Sequence, residues 1–294
     1  MLRVAAAPDA PPLRADRARR APDRGRALAL VHGVALLLGP AVGGCAERPL
    51  SPRAPTPGAF HFTVQTFNVE YTDSDDAGTI AAVGAADADV VCLQEVTPAW
   101  VEVLNSTYGD RYPHRLFHVR GPTSTSGLAI LSRFPLTDEG IEPAPNGWHP
   151  AWHLRLATAA GPIEFLHVHL RAPMHGKGGA VRSLSEVDRD HLAEIQHFTR
   201  PLVDDVPTIV LGDFNEDVDG AAVGWLERRS YTNTLPLFHP GQGTWRYRSI
   251  AGQFDKAMDH ILYGPGLEPL NAWVERRGHS DHLPVLAHFE LSPN

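Results

Sequence analysis

The sequence predicts a layered α/β (α+β) domain, and three observations carry that prediction. Eight apolar runs of strand length recur from Phe60 onward, helical stretches lie between several of them, and most of the runs finish in carboxylates, amides or histidines. Runs rich in Val, Ile, Phe and Leu place strands at Phe60–Asn68, Asp89–Glu95, Gly127–Ser132, Trp152–Ala157, Ile163–Leu170, Thr208–Asp213, Met258–Tyr263 and Leu283–Leu291. Helices are expected over Thr79–Ala88, Thr97–Thr107, Ala180–Leu202 and Gly220–Arg229, with Thr97 and Asp219 or Gly220 as caps. A strand that is apolar along its length and polar at its end delivers those groups to one rim of the sheet, where ligand sites form.

The N-terminus reads differently. Seven arginines fall within residues 1–26, and the apolar run Ala27–Val42 follows. A basic segment followed by an apolar one is the order of an export signal. His32, Gly33, Gly39 and Pro40 interrupt the run, which is shorter than the roughly 20 apolar residues a spanning helix needs. Val42-Gly43-Gly44-Cys45 closes it and resembles the bacterial lipoprotein processing site, in which small residues precede a cysteine that receives lipid. Residues 1–45 are therefore expected to be an export signal ending at Cys45. Residues 46–59 hold Pro49, Pro52, Pro55 and Pro57 and are expected to form an extended linker, and 60–294 the folded domain. The expected protein is exported, either secreted or held at the cell surface, touching a membrane only through an N-terminal lipid and acting as a monomer. Cys92, the second cysteine, lies inside Val90-Val91-Cys92-Leu93 and reads as a buried structural thiol.

Charge narrows the partners. The chain carries 26 basic and 34 acidic residues; with the seven arginines and three aspartates of residues 1–45 set aside, 19 against 31 remain, a net charge near −12. That balance argues against a surface that grips long nucleic acid through many phosphate contacts.

The chemistry is carried by an ordered set of polar strand ends. Thr66-Phe67-Asn68, Leu93-Gln94-Glu95, His167-Val168-His169-Leu170, Leu211-Gly212-Asp213-Phe214-Asn215, Met258-Asp259-His260 and Gly278-His279-Ser280-Asp281-His282 follow one another across more than 200 residues. Together with Gly127-Leu128-Ala129-Ile130-Leu131-Ser132-Arg133 they resemble the endonuclease/exonuclease/phosphatase superfamily, which includes deoxyribonuclease I, inositol-polyphosphate 5-phosphatases and neutral sphingomyelinases. The resemblance implies two packed mixed β-sheets flanked by helices, a deoxyribonuclease I-like sandwich.

Hard divalent cations such as Mg²⁺, or Mn²⁺, want oxygen ligands, and Glu95, Asn68 and Asp281 offer them. Nothing in the set has the thiolate pair or the paired-histidine helix of a zinc site. Asp213 and Asn215, two residues apart, are expected on one face of a strand end, where one pair can serve one phosphate. The resemblance makes Asp213 a water-activating or second-metal carboxylate and Asn215 a phosphate-orienting amide. It pairs His282 with Asp259, a carboxylate that fixes the imidazole tautomer and raises its pKa. His282 is then either the base or a cation facing the phosphoryl group. His169 corresponds to the family histidine that contacts the phosphate or protonates the leaving oxygen, and His167 shares its strand face. The implied reaction is in-line attack of water on a metal-held phosphodiester, nuclease-like or, alternatively, on a phospholipid headgroup or a phosphomonoester. A rival from another class is a surface-tethered binding domain of the same fold without activity. The loop Met174-His175-Gly176-Lys177-Gly178-Gly179 follows His169 and offers Lys177 to a substrate phosphate.

Overall fold

The computed structural model describes residues 48–172, 184–249 and 252–292. The export signal, Cys45 and the Lys177 loop lie outside these residues. Two six-stranded sheets face each other. The first has the order β13-β14-β1-β2-β4-β3 and the second β5-β6-β7-β8-β12-β9, while β10-β11 forms a separate two-stranded ribbon. The first sheet comprises β1 (His61–Asn68), β2 (Val90–Gln94), β3 (His114–His118), β4 (Leu128–Ser132), β13 (Leu267–Val274) and β14 (Val285–Leu291). The second comprises β5 (Leu136–Glu142), β6 (Ala151–Thr158), β7 (Gly161–His169), β8 (Thr208–Asp213), β9 (Thr232–Asn233) and β12 (Asp259–Tyr263), and the ribbon is β10 (Trp245–Ser249) with β11 (Gly252–Lys256). Each large sheet holds one parallel pair, β1/β2 and β7/β8, with antiparallel pairing elsewhere.

The period-2 alternation of the strands decides where the site forms. Phe62 and Val64 of β1, Val90 and Cys92 of β2, Ile163 and Phe165 of β7, Ile209 and Leu211 of β8 and Ile261 of β12 fill the space between the sheets. Continued by the same period, these stripes end in Asn68, Gln94, His169, Asp213 and Asp259. Burial of the apolar stripes thus brings five polar side chains from both sheets to one end of the seam. Burial also pushes the Cys92 thiol far above its usual pKa, so it is a core residue and no nucleophile.

Helices cover the outer faces. Helices α1 (Ala77–Gly84) and α2 (Pro98–Tyr108) pack on Phe67, Val91, Leu93 and Leu131 of the first sheet. Their N-terminal N–H groups are taken by the side chains of Asp76 and Thr97, and Pro98 occupies the first turn, where no N–H is needed. Helices α3 (Leu184–Phe198) and α4 (Ala221–Glu227) cover Val168, Val210 and Phe214 on the second. Helix α5 (Thr234–Phe238) buries Leu235 and Phe238 in the main core.

Four expectations are corrected. The first helix ends at Gly84 rather than Ala88, because Asp87 turns the chain at φ 55° into β2. The third ends at Phe198 rather than Leu202, its expected start at Ala180 lying outside the described residues, and the fourth spans Ala221–Glu227 with Gly220 as its cap. The proline-rich stretch is extended but does not stand free: Arg53 N–H donates to Leu270 O at 3.0 Å and Leu50 N–H to Leu237 O at 2.8 Å.

Gly212 is the tightest point beside the site. Its φ is 144°, and a Cβ there would lie 1.8 Å from Val168 O across the parallel β7/β8 pair. Gly212→Ala is expected to cost more than about 2 kcal/mol in urea unfolding, because backbone on a neighbouring strand must move.

Candidate active site

A cleft of about 380 Å³ opens where the stripes end. It is lined by Asn68, Glu95, His169, Asp213, Asn215, Asp281 and His282, seven of the eight residues expected from sequence, while Asp259 lies fully buried beneath it. Asp213 is the hub. Its Oδ2 receives Asn68 Nδ2 at 3.0 Å and lies 3.5 Å from His169 Nε2 and 3.6 Å from His282 Nε2. Asn215 N–H donates to its Oδ1 at 2.9 Å.

His282 is held between two carboxylates. Its Nδ1 is 3.0 and 2.9 Å from the two oxygens of Asp259, and its Nε2 faces Asp213. Thr244 supports this pair from behind: Oγ1 donates to Asp259 Oδ2 at 2.7 Å and accepts the N–H groups of Met258 and Asp259. Burial opposes protonation of the ring, but the charges of Asp259 and Asp213 outweigh it and raise His282 to about 10. The two carboxylates thus favour the protonated ring. Ser280 places it, donating Oγ to Asn68 O at 2.7 Å and accepting His282 N–H at 3.1 Å.

Glu95 sits just past β2 at φ 61°. Oε1 accepts from Asn68 Nδ2 at 3.2 Å and Oε2 from Tyr71 N–H at 3.3 Å. Burial raises this carboxyl to about 7, with the charge of Asp213 adding to the shift. Both of those donors are neutral, so the negative charge of Glu95 is little compensated, the condition a hard divalent cation would relieve. Asp281 faces the same cleft half-exposed, with Oδ2 accepting Trp245 Nε1–H at 2.9 Å and Oδ1 4.0 Å from His282 Nε2. Asn68 turns its NH₂ to Glu95 and Asp213, and its Oδ1 accepts Glu70 N–H at 3.1 Å. It therefore spaces the two carboxylates with its donor side. Asp213, Asp259 and His282 lie mutually within 4.8 Å, a set that could hold a metal ion only if the His282 ring gave up a proton to make room for it.

The two β7 histidines are both buried and differ in what they meet. His167 is fully enclosed, its Nε2 2.6 Å from Gln94 Nε2, and desolvation lowers it to about 3. His169 is the one that reaches the cleft. His167 stays neutral in the fold but protonates near 6.5 when unfolded, so its contribution to stability is present above pH 6.5 and is lost as pH falls towards 3. The unfolding free energy from urea titrations is expected to drop below pH 6.5 by on the order of 1 kcal/mol per pH unit, and more shallowly in His167→Gln.

The expected strand-face relation between Asp213 and Asn215 is corrected. β8 ends at Asp213, and Asn215 adopts φ 52° in a turn that Asp213 Oδ1 closes. Both still line the cleft, and Asn215 Nδ2 donates to Leu170 O at 3.0 Å. Behind them, His191 Nε2 lies 2.7 Å from Arg171 O, its Nδ1 2.9 Å from Glu216, and Glu194 Oε2 accepts Arg171 N–H at 3.1 Å, which fixes the backbone leaving His169. Glu70, Glu95 and Asn215 are three of six described non-glycine residues at positive φ, so backbone strain gathers at this rim.

Several cleft residues escaped the sequence reading: Glu70, Tyr71, Thr125 and His149. His149 stacks on His169 with ring centroids 4.0 Å apart and planes 9° from parallel. The signal was the hairpin register: β6 pairs antiparallel with β7, Trp152 opposite His167, so residues just before β6 arrive at the His169 end.

Comparison with known proteins agrees with this geometry. Residues 66–282 match the model of the Endonuclease/Exonuclease/phosphatase family. An inositol phosphosphingolipids phospholipase C from Saccharomyces cerevisiae is 30% identical over 149 residues, which are 44% of this chain and 30% of that protein. The chain thus matches less than a third of that relative's length. Among solved structures, an endonuclease/exonuclease/phosphatase from Beutenbergia cavernae superposes with a TM-score of 0.62 at 19% identity, covering 79% of this chain and 72% of that one. D. rerio TDP2 complexed with single strand DNA product gives 0.58 at 17% identity, covering 78% and 98%. With a family model spanning most of the chain and the same two-sheet fold, the protein belongs to the endonuclease/exonuclease/phosphatase family of phosphate-ester hydrolases.

Proposed function

We propose that this protein is an exported, divalent-metal-dependent phosphodiesterase that attacks a compact phosphodiester with water. The observation that carries the reading is the convergence of Asn68, His169 and His282 on one oxygen of the buried Asp213. A carboxylate so placed takes a proton from water, and the groups around it face the phosphate that water attacks. His282, already protonated between Asp259 and Asp213, serves as a fixed cation towards a phosphoryl oxygen, which leaves Asp213 as the proton acceptor. His169, stacked on His149, is placed to protonate the leaving oxygen. Glu95 and Asp281 would hold Mg²⁺, with Mn²⁺ as a substitute, and the ion would supply positive charge to the phosphoryl and leaving oxygens.

For the substrate, a phospholipid headgroup is favoured over long nucleic acid. The domain carries a net charge near −12, and Glu70 and Asp281 stand in the cleft lining, an arrangement that repels a polyanion. The yeast relative is by name a phospholipase C acting on phosphosphingolipids. Export and lipid attachment at Cys45 belong to the same reading, since both bring a monomeric domain to a membrane surface. The test is a substrate panel in Mg²⁺ comparing phosphosphingolipid and phosphatidylcholine vesicles, plasmid DNA and RNA. Turnover is expected on a lipid headgroup; rapid cleavage of DNA or RNA with none on lipid would reverse the substrate assignment.

A further inference from the structure

We infer that the segment 48–59 turns the domain so that its cleft end, with the loop at Val218 and helix α5, faces the bilayer that holds the N-terminus. This rests on the proposed lipid attachment and goes beyond it, because a lipid on a free spacer sets no orientation. The first strand starts at the rim opposite the cleft, where Phe60 lies beside Gly161, Pro207 and Leu291. A spacer leaving from there would hang the domain with its cleft away from the membrane.

The chain instead doubles back. Thr56 N–H donates to Glu290 Oε2 at 2.7 Å, and the Arg53 guanidinium pairs with Glu290 and Glu268, each at 2.8 Å. Arg53 N–H then bonds Leu270 O in β13, and Leu50 N–H bonds Leu237 O in α5. Pro52 and Pro55 keep this path extended and offer no competing N–H groups, while Pro57-Gly58 form the turn closed by Ala59 N–H to Thr56 O at 3.0 Å. The chain is thereby carried from the far rim along the β13 edge to α5.

Helix α5 borders the cleft end. A pocket of about 230 Å³ is lined by Leu235 and Pro236 together with Asp217, Val218 and Gly243. Val218 lies in the loop that leaves β8 just after Asp213 and Asn215, and Gly243 precedes Thr244, which holds Asp259. Among the described residues the exposed large apolar side chains are Leu50 at 48%, Val203 at 49% and Val218 at 41%. Two of these three flank the place where the chain leaves the domain, which gives that flank something to set against lipid. Cys45 lies three residues before Arg48, so covalent geometry keeps a lipid there within about 11 Å of the exit. A lipid-borne phosphodiester would then meet the cleft at the membrane surface.

The test uses the full lipidated chain on phosphatidylcholine vesicles containing a lipid-bound quencher. A fluorophore is attached to a cysteine introduced by Val218→Cys or by Val203→Cys; Val203 lies at the far rim, where its N–H donates to Glu164 beside the start of β8. The 218 label is expected to be quenched at least threefold more than the 203 label. Arg53→Ala, which removes both ion pairs, is expected to bring the ratio towards one while the urea midpoint shows the domain still folded. Equal quenching in the unaltered segment, stronger quenching at 203, a ratio indifferent to Arg53→Ala, or failure of the protein to stay with the vesicles would each overturn the inference. The readout needs no turnover, so a protein that cleaves diesters without this asymmetry loses the orientation alone, and one with the asymmetry but no turnover loses the proposed activity alone.

Discussion

His282→Ala is expected to lower kcat on a phosphodiester by about 10³-fold with a much smaller change in KM. The ring supplies the only imidazolium that geometry holds between two buried carboxylates among the described residues, and its removal takes away both the cation and the spacer between Asp213 and Asp259. Those two carboxylates then face each other without a counter-charge, which costs stability as well as rate. The pH profile follows from the same contacts. With His282 raised to about 10, the charged ring is present throughout pH 6–8 and is lost only as pH climbs towards 10, so the wild-type profile should show no limb from this group near 6.5. Steady-state kinetics across pH, on wild type and variant, checks both statements; a kcat within tenfold of wild type would remove His282 from the chemistry.

Glu95→Gln is expected to abolish tight Mg²⁺ binding and to reduce turnover by on the order of 10³-fold, while leaving the fold intact. Gln keeps the size and one acceptor oxygen, for Asn68 or for Tyr71, but removes a charge whose two hydrogen-bond donors are both neutral. Burial holds the metal-free carboxyl near 7, so cation binding must displace a proton from part of the population. The sign is definite: metal affinity weakens as pH falls below about 7, and binding releases protons near neutrality. Titration calorimetry in two buffers of different ionisation enthalpy reads that release directly, and it should vanish in the variant along with the binding itself.

The reach of the sequence is clearest in the site. Asn68, His169, Asp213 and Asp259 were legible because each continues an apolar period-2 stripe that has to face the core, and burying the stripe fixes where its polar end goes. Strand edges were not legible. The four strands that the apolar pattern missed in the two sheets, β3, β5, β9 and β13, are their four edges. Edge strands bury less and tolerate polar residues, as in Leu136-Thr137-Asp138-Glu139-Gly140-Ile141-Glu142, or a proline at a bulge, as Pro269 in β13. His149 was missed for a different reason: its role comes from the register of a hairpin, which periodicity does not encode. The docking of residues 48–59 depends on Glu268 and Glu290, more than 200 residues away, and proline content alone reads as a free spacer.

The central claim is that this cleft hydrolyses a phosphodiester only with a divalent cation in place. The most direct measurement follows release of p-nitrophenol from bis(p-nitrophenyl) phosphate by protein freed of metal with EDTA, before and after Mg²⁺ is restored, in wild type and Glu95→Gln. No turnover without metal, recovery on Mg²⁺ addition in the wild type and no recovery in the variant are the predicted results. Equal turnover with and without Mg²⁺, or full recovery in Glu95→Gln, would contradict the account.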